Sequence, residues 1–565
     1  MSGTTSRPGG LRRLLQVLPP TRWLAEYKPG WLKGDIVAGV TLAAYAIPVS
    51  LAYAGLAGLP PQAGIYGYML GGLGYALLGS SRQLAIGPTS AISLMIAGTV
   101  GAMADGDTQR YAQIASLAGF TVAVLCVLAW LFRLSVLVRL ISDSILVGFK
   151  AGAGLTIAMT QLPSLLGVAG GGHNFFERAL NLVTQLGQIH YLVLAIGVIA
   201  IVLLLVGERL LPGLPIALGV VVLSILAATV FGLPSLGVTT TGTVPAGLPE
   251  LQLPALRMRD VEGIVPLAAG CLLLAYIEGV SAARTFAAKH GYVLDARQEF
   301  LGIGAANFAA ALGQGYPVAG GLSQSAVNDR AGAHTPLALV LASVTLALCL
   351  LFFTGLLENL PKAVLAAVVL TAVYGLVDFP ALLRMWRISR IDFYAAAIAL
   401  VAVLLLGILQ GILLASLASV LLLLARAARP HVAFLGRVPG TSHYSDMARH
   451  PENEALTGII AFRPEASLIY VNADAVLEAI LNRLDSQPDV RLVVCDLSAA
   501  PRVDLAGSRM LHELHSQLAA RGAALRIIAA RGEVRDLLRN DGLDGKVGGI
   551  DRTVTLASLV RPSER

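Results

Sequence analysis

Charge is scarce in this chain. Asp, Glu, Lys and Arg make up only 13% of its 565 residues, against 56% hydrophobic residues and a mean hydropathy of +0.73. That balance excludes a soluble globular protein for most of the length. Cysteine is nearly missing too. Cys126, Cys271 and Cys349 lie in apolar runs and Cys495 in a predicted soluble strand, with no spacing for a disulfide framework or a zinc site. They read as small buried hydrophobes. Residues 1–34 carry Arg7, Arg12, Arg13, Arg22, Lys28 and Lys33 without an uninterrupted apolar core, which argues against a signal peptide. Leu11 to Leu32 reads instead as an amphipathic stretch on the inner membrane face. His173, His190, His290 and His334 have no ligand spacing and read as loop residues. No constellation suggests an enzyme. The net charge of +7 fits cytoplasmic loops better than a nucleic-acid surface.

What the chain has is apolar runs and sixty glycines, the composition of closely packed and broken membrane helices. Apolar segments fall near 36–56, 62–79, 88–104, 111–132, 143–162, 190–206, 214–232, 262–280, 298–313, 322–329, 336–356, 361–377, 391–407 and 408–427. A full span needs about 20 residues, so the third and tenth are too short to cross alone. Fourteen segments divide as seven plus seven. With the N-terminus inside, inward loops hold Arg133, Arg139, Arg209, Arg284, Lys289, Arg297, Arg330, Arg384, Arg387 and Arg390. Outward loops hold only Arg110, Arg178, Arg257, Arg259 and Lys362. The excess predicts both termini in the cytoplasm.

The grammar changes after the spans. Residues 1–34 form an N-terminal segment, 35–428 a transmembrane domain, 429–455 a polar linker and 456–560 a small cytoplasmic domain. In that last part Gly458-IIAF, Ser467-LIYV, Arg491-LVVCDL and Ala524–Ala529 read as strands. Asn472–Leu484, Leu505–Arg521 and a segment from Glu533 read as helices. The alternation predicts an α/β domain with a mostly parallel sheet.

Two interrupted stretches stand out. Leu272 to Asn328 holds a carboxylate, Glu278, inside an apolar run, then a Gly-Gly-Leu-Ser-Gln-Ser turn that opens a short segment. Earlier, Arg82 to Ala91 leads through Gly-Pro-Thr-Ser into another short helix. An intramembrane carboxylate is by default a functional residue. Paired Gly/Pro-broken segments point to a transporter binding site. Pro88 suits a first helical turn. Free amides at the two helix starts can face one anion, with Thr89, Ser90, Ser323 and Ser325 adding hydroxyls. Alternatively, the serines only cap their helices.

These residues resemble a known family. Gly34-DIVAGVTLAAYAIP, Ala52-YAGLAGLPPQAGIYG, Leu84-AIGP, Glu278, Phe286-AAKHGY, Gln298-Glu299, Ala305-AN and Ser323-QSAVN are similar to the SulP anion transporters. Leu468-IYVNA and Asp496-LSAAPRVDLAG resemble the STAS domain those carriers bear. The resemblance covers about residues 30–560. It implies a seven-plus-seven inverted repeat with core and gate domains, elevator-like alternating access and homodimers. Substrates across the family include sulfate, bicarbonate, chloride and dicarboxylates.

The resemblance also implies an anion site at Pro88, Thr89, Ser90, Leu322, Ser323, Gln324 and Ser325. Glu278 is then the coupling group, since desolvation opens a buried carboxylate to proton uptake and release. Its alternative is structural pairing with Arg284 or a serine. Sodium-coupled relatives carry Asp here and Thr four residues on, where this chain has Ala282, which favours a proton. Two departures weaken the positive field: Gln324 replaces a customary Arg, and Val49 a frequent Gln. Lys150 supplies charge near the pathway or snorkels to the surface. Tyr45, Tyr53, Tyr66 and Tyr68 line the cavity or simply pack.

In the STAS part, Asp504-Leu505-Ala506-Gly507 lacks the middle hydroxyls of phosphorylated relatives, which leaves Asp504 a capping role. The expected function is proton-coupled uptake of sulfate or a similar oxyanion across the inner membrane. Partners are the anion, protons, the lipid bilayer and a second copy, with no nucleic acid and no cofactor. The alternatives are a sodium-dependent bicarbonate or dicarboxylate transporter, a regulatory receptor with STAS output, and a nucleobase permease of the same repeat architecture.

Overall fold

The computed structural model describes residues 23–24, 26–134, 142–172, 174–211, 215–255, 257, 260–487 and 489–560. The predicted amphipathic stretch from Leu11 therefore falls largely outside the described residues, as do His173, Arg139 and Arg259. The chain divides into two compact units, Met1–Ser419 and Val420–Arg565.

The first unit is helical. It opens with α1 (Leu32–Leu56), α2 (Pro61–Leu78), the strand β1 (Ile86–Gly87), α3 (Ser90–Ala104), α4 (Thr108–Leu131) and α5 (Asp143–Leu166). Then come α6 (Phe175–Thr184), α7 (Tyr191–Leu210), α8 (Ile216–Val230) and α9 (Val261–His290). The order of the opening then recurs: α9 and α10 (Gln298–Leu312), the strand β2 (Ala319–Gly320) and a short α11 (Leu322–Arg330). The unit continues through α12 (Leu337–Phe352), α13 (Lys362–Tyr374), α14 (Phe379–Ile388), α15 (Arg390–Leu406) and the start of α16 (Ile408–Ala428). Each of the fourteen apolar segments is a helix. Seven helical stretches among the described residues are long and apolar enough to cross a membrane.

Small residues set the packing. A side chain at Gly148 on α5 would overlap the backbone of Ala396 on α15, and one at Gly74 on α2 the backbone of Ala305 on α10. Close approach of this kind supplies dispersion contacts where lipid gives helices no hydrophobic reason to associate. Tyr68, Tyr75, Tyr316, Phe149 and Phe300 fill the interior. Two elements, α6 and α14, were not expected. Both are ten-residue amphipathic helices whose charges interrupt the apolar runs, and α14 buries no residue.

The second unit carries a five-stranded sheet. Its strands are β3 (Val432–Arg437), β4 (Tyr444–Asp446), β5 (Ile459–Pro464), β6 (Leu492–Asp496) and β7 (Ala524–Ile528), in the order β4-β3-β5-β6-β7. The last three run parallel, as expected, while β3 and β4 pair antiparallel. Residues 429–455, read as a linker, therefore contribute two strands. The segment Ser467-LIYV, read as a strand, is a single bridge from Leu468 to Val503. The reason is local: Asn472 Oδ1 accepts the Ile469 N–H at 3.0 Å and Asp504 Oδ2 accepts the Tyr470 N–H at 2.8 Å. Side chains thus take the amides a ladder would use. The helices α17 (Ala473–Asp485), α18 (Leu505–Ala520) and α19 (Gly532–Asn540) bury Val476, Ile480, Leu511, Leu514 and Leu538 in the same apolar cluster as Ile460, Phe462 and Val493 of the sheet.

Candidate functional site

The strands β1 and β2 pair antiparallel, Ile86 opposite Gly320 and Gly87 opposite Ala319. The helices that follow them, α3 and α11, therefore leave this crossing in opposite directions, with their first turns on either side of it. Pro88 ends the ladder because it has no N–H to donate. Glycine is required at the crossing itself. A Cβ on Gly87 would overlap the Tyr68 ring, and one on Gly320 would sit 3.0 Å from Gly279 Cα on α9.

Neither helix start is closed by a side chain. Thr89 holds the cap position of α3 in extended backbone, and Gly321 that of α11. Neither makes a side-chain cap hydrogen bond. The first amides to bond within the helices are Ser93, to Thr89 O, and Ser325, to Gly321 O. Helix geometry thus leaves the amides of Ser90, Ala91 and Ile92, and of Leu322, Ser323 and Gln324, for another acceptor. The partial positive charge of both helix ends is directed at the same crossing. Thr89 Oγ1 is buried without a hydrogen-bond partner among the described residues, an uncommon condition for a hydroxyl.

The expected site residues divide by what their side chains do. Ser90 lies beside the Tyr53 hydroxyl, which is also within electrostatic reach of Glu278. Leu322 and Ser323 are exposed. Gln324 is buried and turns back, its Nε2 donating to Ala319 O at 3.1 Å. Ser325 Oγ donates to Gly321 O at 2.7 Å and accepts the Ala85 N–H at 2.9 Å, so it joins the two broken segments.

Glu278 adjoins Gly279, whose backbone meets Gly320. Its side chain is partly exposed, and no hydrogen bond or ion pair holds it among the described residues. Lys150 on α5 lies close enough to act on it electrostatically. Arg284 is exposed, six positions further along α9, and forms no ion pair with Glu278. Ala282 is buried, and its methyl offers no oxygen to a cation.

A second set of polar residues holds the crossing in place. Asn307 on α10 grips Val318 from both sides, accepting its N–H at 2.9 Å and donating to its carbonyl at 3.0 Å. Ser93 and Tyr316 hydroxyls meet at 3.0 Å. Asn328 donates to Gln83 O, and Gln83 accepts from the Tyr292 hydroxyl. Glu299, fully buried, accepts from Tyr75, from the Ser80 hydroxyl at 2.7 Å and from the Ser80 N–H at 2.9 Å. Polar residues inside apolar runs were the available signal for Asn307 and Glu299. Nothing in the sequence pairs Ser325 with Ala85, 240 positions away.

Of the four membrane-domain histidines, the three described are tied into the fold. His290 Nε2 and Lys289 Nζ bond the two oxygens of Asp329, at 2.5 Å and 2.6 Å, tying the end of α9 to α11. His334 stacks on Trp31, and His190 accepts the Val193 N–H.

Known proteins share this organisation. Residues 32–399 match the sulfate permease family and residues 450–557 the STAS domain. A "probable sulfate transporter" of Mycobacterium tuberculosis is 35% identical over 96% of this chain and 97% of its own. Chloroplastic sulfate transporter 4.1 of Arabidopsis thaliana is 30% identical over 94% and 80%. Among solved structures, the murine solute carrier 26 family member A9 anion transporter, in its inward-facing state, superposes with a TM-score of 0.87 at 20% identity. That match covers 99% of this chain and 96% of the other. The transmembrane domain of a cyanobacterium bicarbonate transporter gives a TM-score of 0.60 at 21% identity, over 70% of this chain and 98% of that domain. With its broken-helix crossing, its membrane helices and its C-terminal STAS domain, the chain belongs to the sulfate permease family, a family of multi-pass membrane transporters of anions.

Proposed function

We propose that this protein takes up sulfate or a similar oxyanion together with protons, by elevator-type alternating access, as a homodimer in the inner membrane with both termini in the cytoplasm. The carrying observation is the crossing of β1 and β2, which sets two uncapped helix N-termini against the backbone of Gly279, the neighbour of Glu278. In this reading residues 35–428 transport and residues 456–560 serve dimerisation or protein interaction. The free amides of α3 and α11 bind the anion, helped by the hydroxyls of Thr89, Ser90 and Ser323, with Pro88 and Leu322 shaping the helix starts. Gln324 and Ser325 keep the second start in register. The sulfate transporters named above support the choice of anion.

Coupling follows from charge. A dianion at the crossing and the Glu278 carboxylate repel each other, the more so where little water screens them. Gln324 supplies no cation to offset that repulsion, and Lys150 offsets only part of it. A proton on Glu278 removes one negative charge as the anion enters, so the two are carried together. Release of the anion to the cytoplasm frees Glu278 to deprotonate.

The test is uptake of radiolabelled sulfate, bicarbonate and a dicarboxylate into proteoliposomes, for wild type and Glu278→Gln. An inward proton gradient should drive sulfate accumulation by the wild type, and the variant should lose that drive while retaining downhill exchange. Accumulation that ignores protons and follows sodium would overturn the coupling.

A further inference from the structure

A cavity of about 580 Å³ runs along α3, starting one turn past Ser90 at Leu94, and is bounded by α1, α5 and the start of α13. Two cations line it, Arg178 of α6 and Lys362 of α13. No carboxylate is among its described lining residues. Neither cation forms an ion pair among the described residues. Unpaired positive charge over a cavity is unusual in a protein with so few charges.

Arg178 is held through its side chain and Lys362 through its backbone. Arg178 Nε donates to Gly172 O at 3.0 Å, which fixes the guanidinium and leaves its terminal nitrogens available. The loop carrying Gly172 is fastened by Gln185, whose amide bonds both the N–H and the carbonyl of Gly170 at 2.9 Å. Lys362 follows a bridge between Thr240 and Pro361, and its N–H donates to Thr239 O at 2.9 Å. Polar side chains of Thr160, Gln161 and Ser164 complete the wall.

We propose that this cavity is a second anion site, a recruitment site that gathers the oxyanion beside α3 before it reaches the crossing. A cleft lined by one sign of charge, with low-dielectric walls, raises the local concentration of the opposite ion. The site fits a small inorganic oxyanion such as sulfate: Arg178 presents a fork of donors, Lys362 a point charge, and the polar wall supplies further hydrogen bonds. It rests on the transport reading only for its role in uptake; its preference for anions stands apart.

The test therefore reads the cavity without transport. The four native cysteines are buried, so Ala169→Cys in the full-length protein puts a single accessible thiol on the cavity wall. Its modification rates by an anionic and a cationic methanethiosulfonate are compared. The anionic reagent should gain roughly tenfold over the ratio for a free thiol, and sulfate should slow it. Arg178→Gln with Lys362→Gln should abolish the gain, and Arg178→Lys with Lys362→Arg should keep it. The neutral pair should also raise KM for sulfate uptake with kcat little changed. A reagent ratio unaffected by neutralising both cations would overturn the proposal. A ratio that behaves as described in a protein that carries no sulfate would overturn the transport reading and leave the anion site standing.

Discussion

The Ser325 hydroxyl accepts the Ala85 N–H at 2.9 Å and donates to Gly321 O at 2.7 Å, binding together two chain segments that each break a membrane helix. Ser323, two residues earlier in the same turn, is exposed and bonds no other side chain among the described residues. The two serines should therefore fail differently. Ser325→Ala leaves a buried amide without an acceptor and should destabilise the protein by about 1–3 kcal/mol, seen as a lowered Tm in detergent. Ser323→Ala should leave Tm unchanged and raise KM for sulfate. Equal effects on both readouts would mean that the first turn of α11 works as one unit.

Gly87 and Gly98 make a second contrast. A Cβ at Gly87 would enter the ring of Tyr68, which is fully buried, whereas nothing lies within 4 Å of one at Gly98. Gly87→Ala should thus destabilise by about 1–3 kcal/mol or prevent folding, and it should displace the N-terminus of α3. Gly98→Ala lies within a helix and should be neutral or stabilising by up to about 1 kcal/mol. Yield after size-exclusion chromatography and thermal unfolding would check both.

The crossing was legible in the sequence because membranes punish exceptions. Glu278, Pro88 and the Gly320-Gly321 pair interrupt apolar runs, and only a site or a backbone crossing tolerates that. The helices α6 and α14 were illegible for the opposite reason. Their apolar residues alternate with charges at helical spacing, so a search for continuous runs passes over them. The segment Leu468 to Val471 misled because its residues favour strands, while the side chains of Asn472 and Asp504 capture its amides. Val432 to Arg437 was hidden by the Pro and His before it. Strand pairing there depends on β5, a partner more than 20 residues away that local composition cannot indicate. What Ser325 does could not be read at all, since its partner comes from the other half of the repeat.

The second unit should show a specific acid sensitivity. Burial alone would raise the Asp446 carboxyl, but hydrogen bonds from His431 at 2.6 Å and from the Ala448 N–H at 2.9 Å outweigh it and hold the group below the usual carboxylate range. A carboxyl lowered on folding stabilises the protein above its unfolded value, about 3.9. That contribution is lost as pH falls through the folded value. Asp446→Asn should therefore destabilise the second unit at pH 7 by on the order of 1 kcal/mol, seen as a lowered Tm. The difference from wild type should shrink as pH drops below about 4. A gap that persists at pH 3 would show that Asp446 acts through packing and not through its charge.

Asp504 holds two amides at once. Its Oδ1 accepts the Gly507 N–H at 2.9 Å, capping α18, and its Oδ2 accepts the Tyr470 N–H at 2.8 Å, fixing the turn before α17. Gly507 must stay bare, because a side chain there would meet Leu468 O at 2.6 Å. Asp504→Ala should remove both bonds and destabilise the second unit by about 0.5–2 kcal/mol from the cap alone. Asp504→Ser can still cap the helix but has one oxygen for two amides, so it should recover part of the loss. Asp504→Asn keeps one carbonyl oxygen and should fall beside it. Hydrogen exchange at Gly507 and Tyr470 separates the two contacts: Ser should protect Gly507 and leave Tyr470 open. Protection of both amides in the Ala variant would mean that the turn is set by Asn472 and the sheet, with Asp504 contributing little.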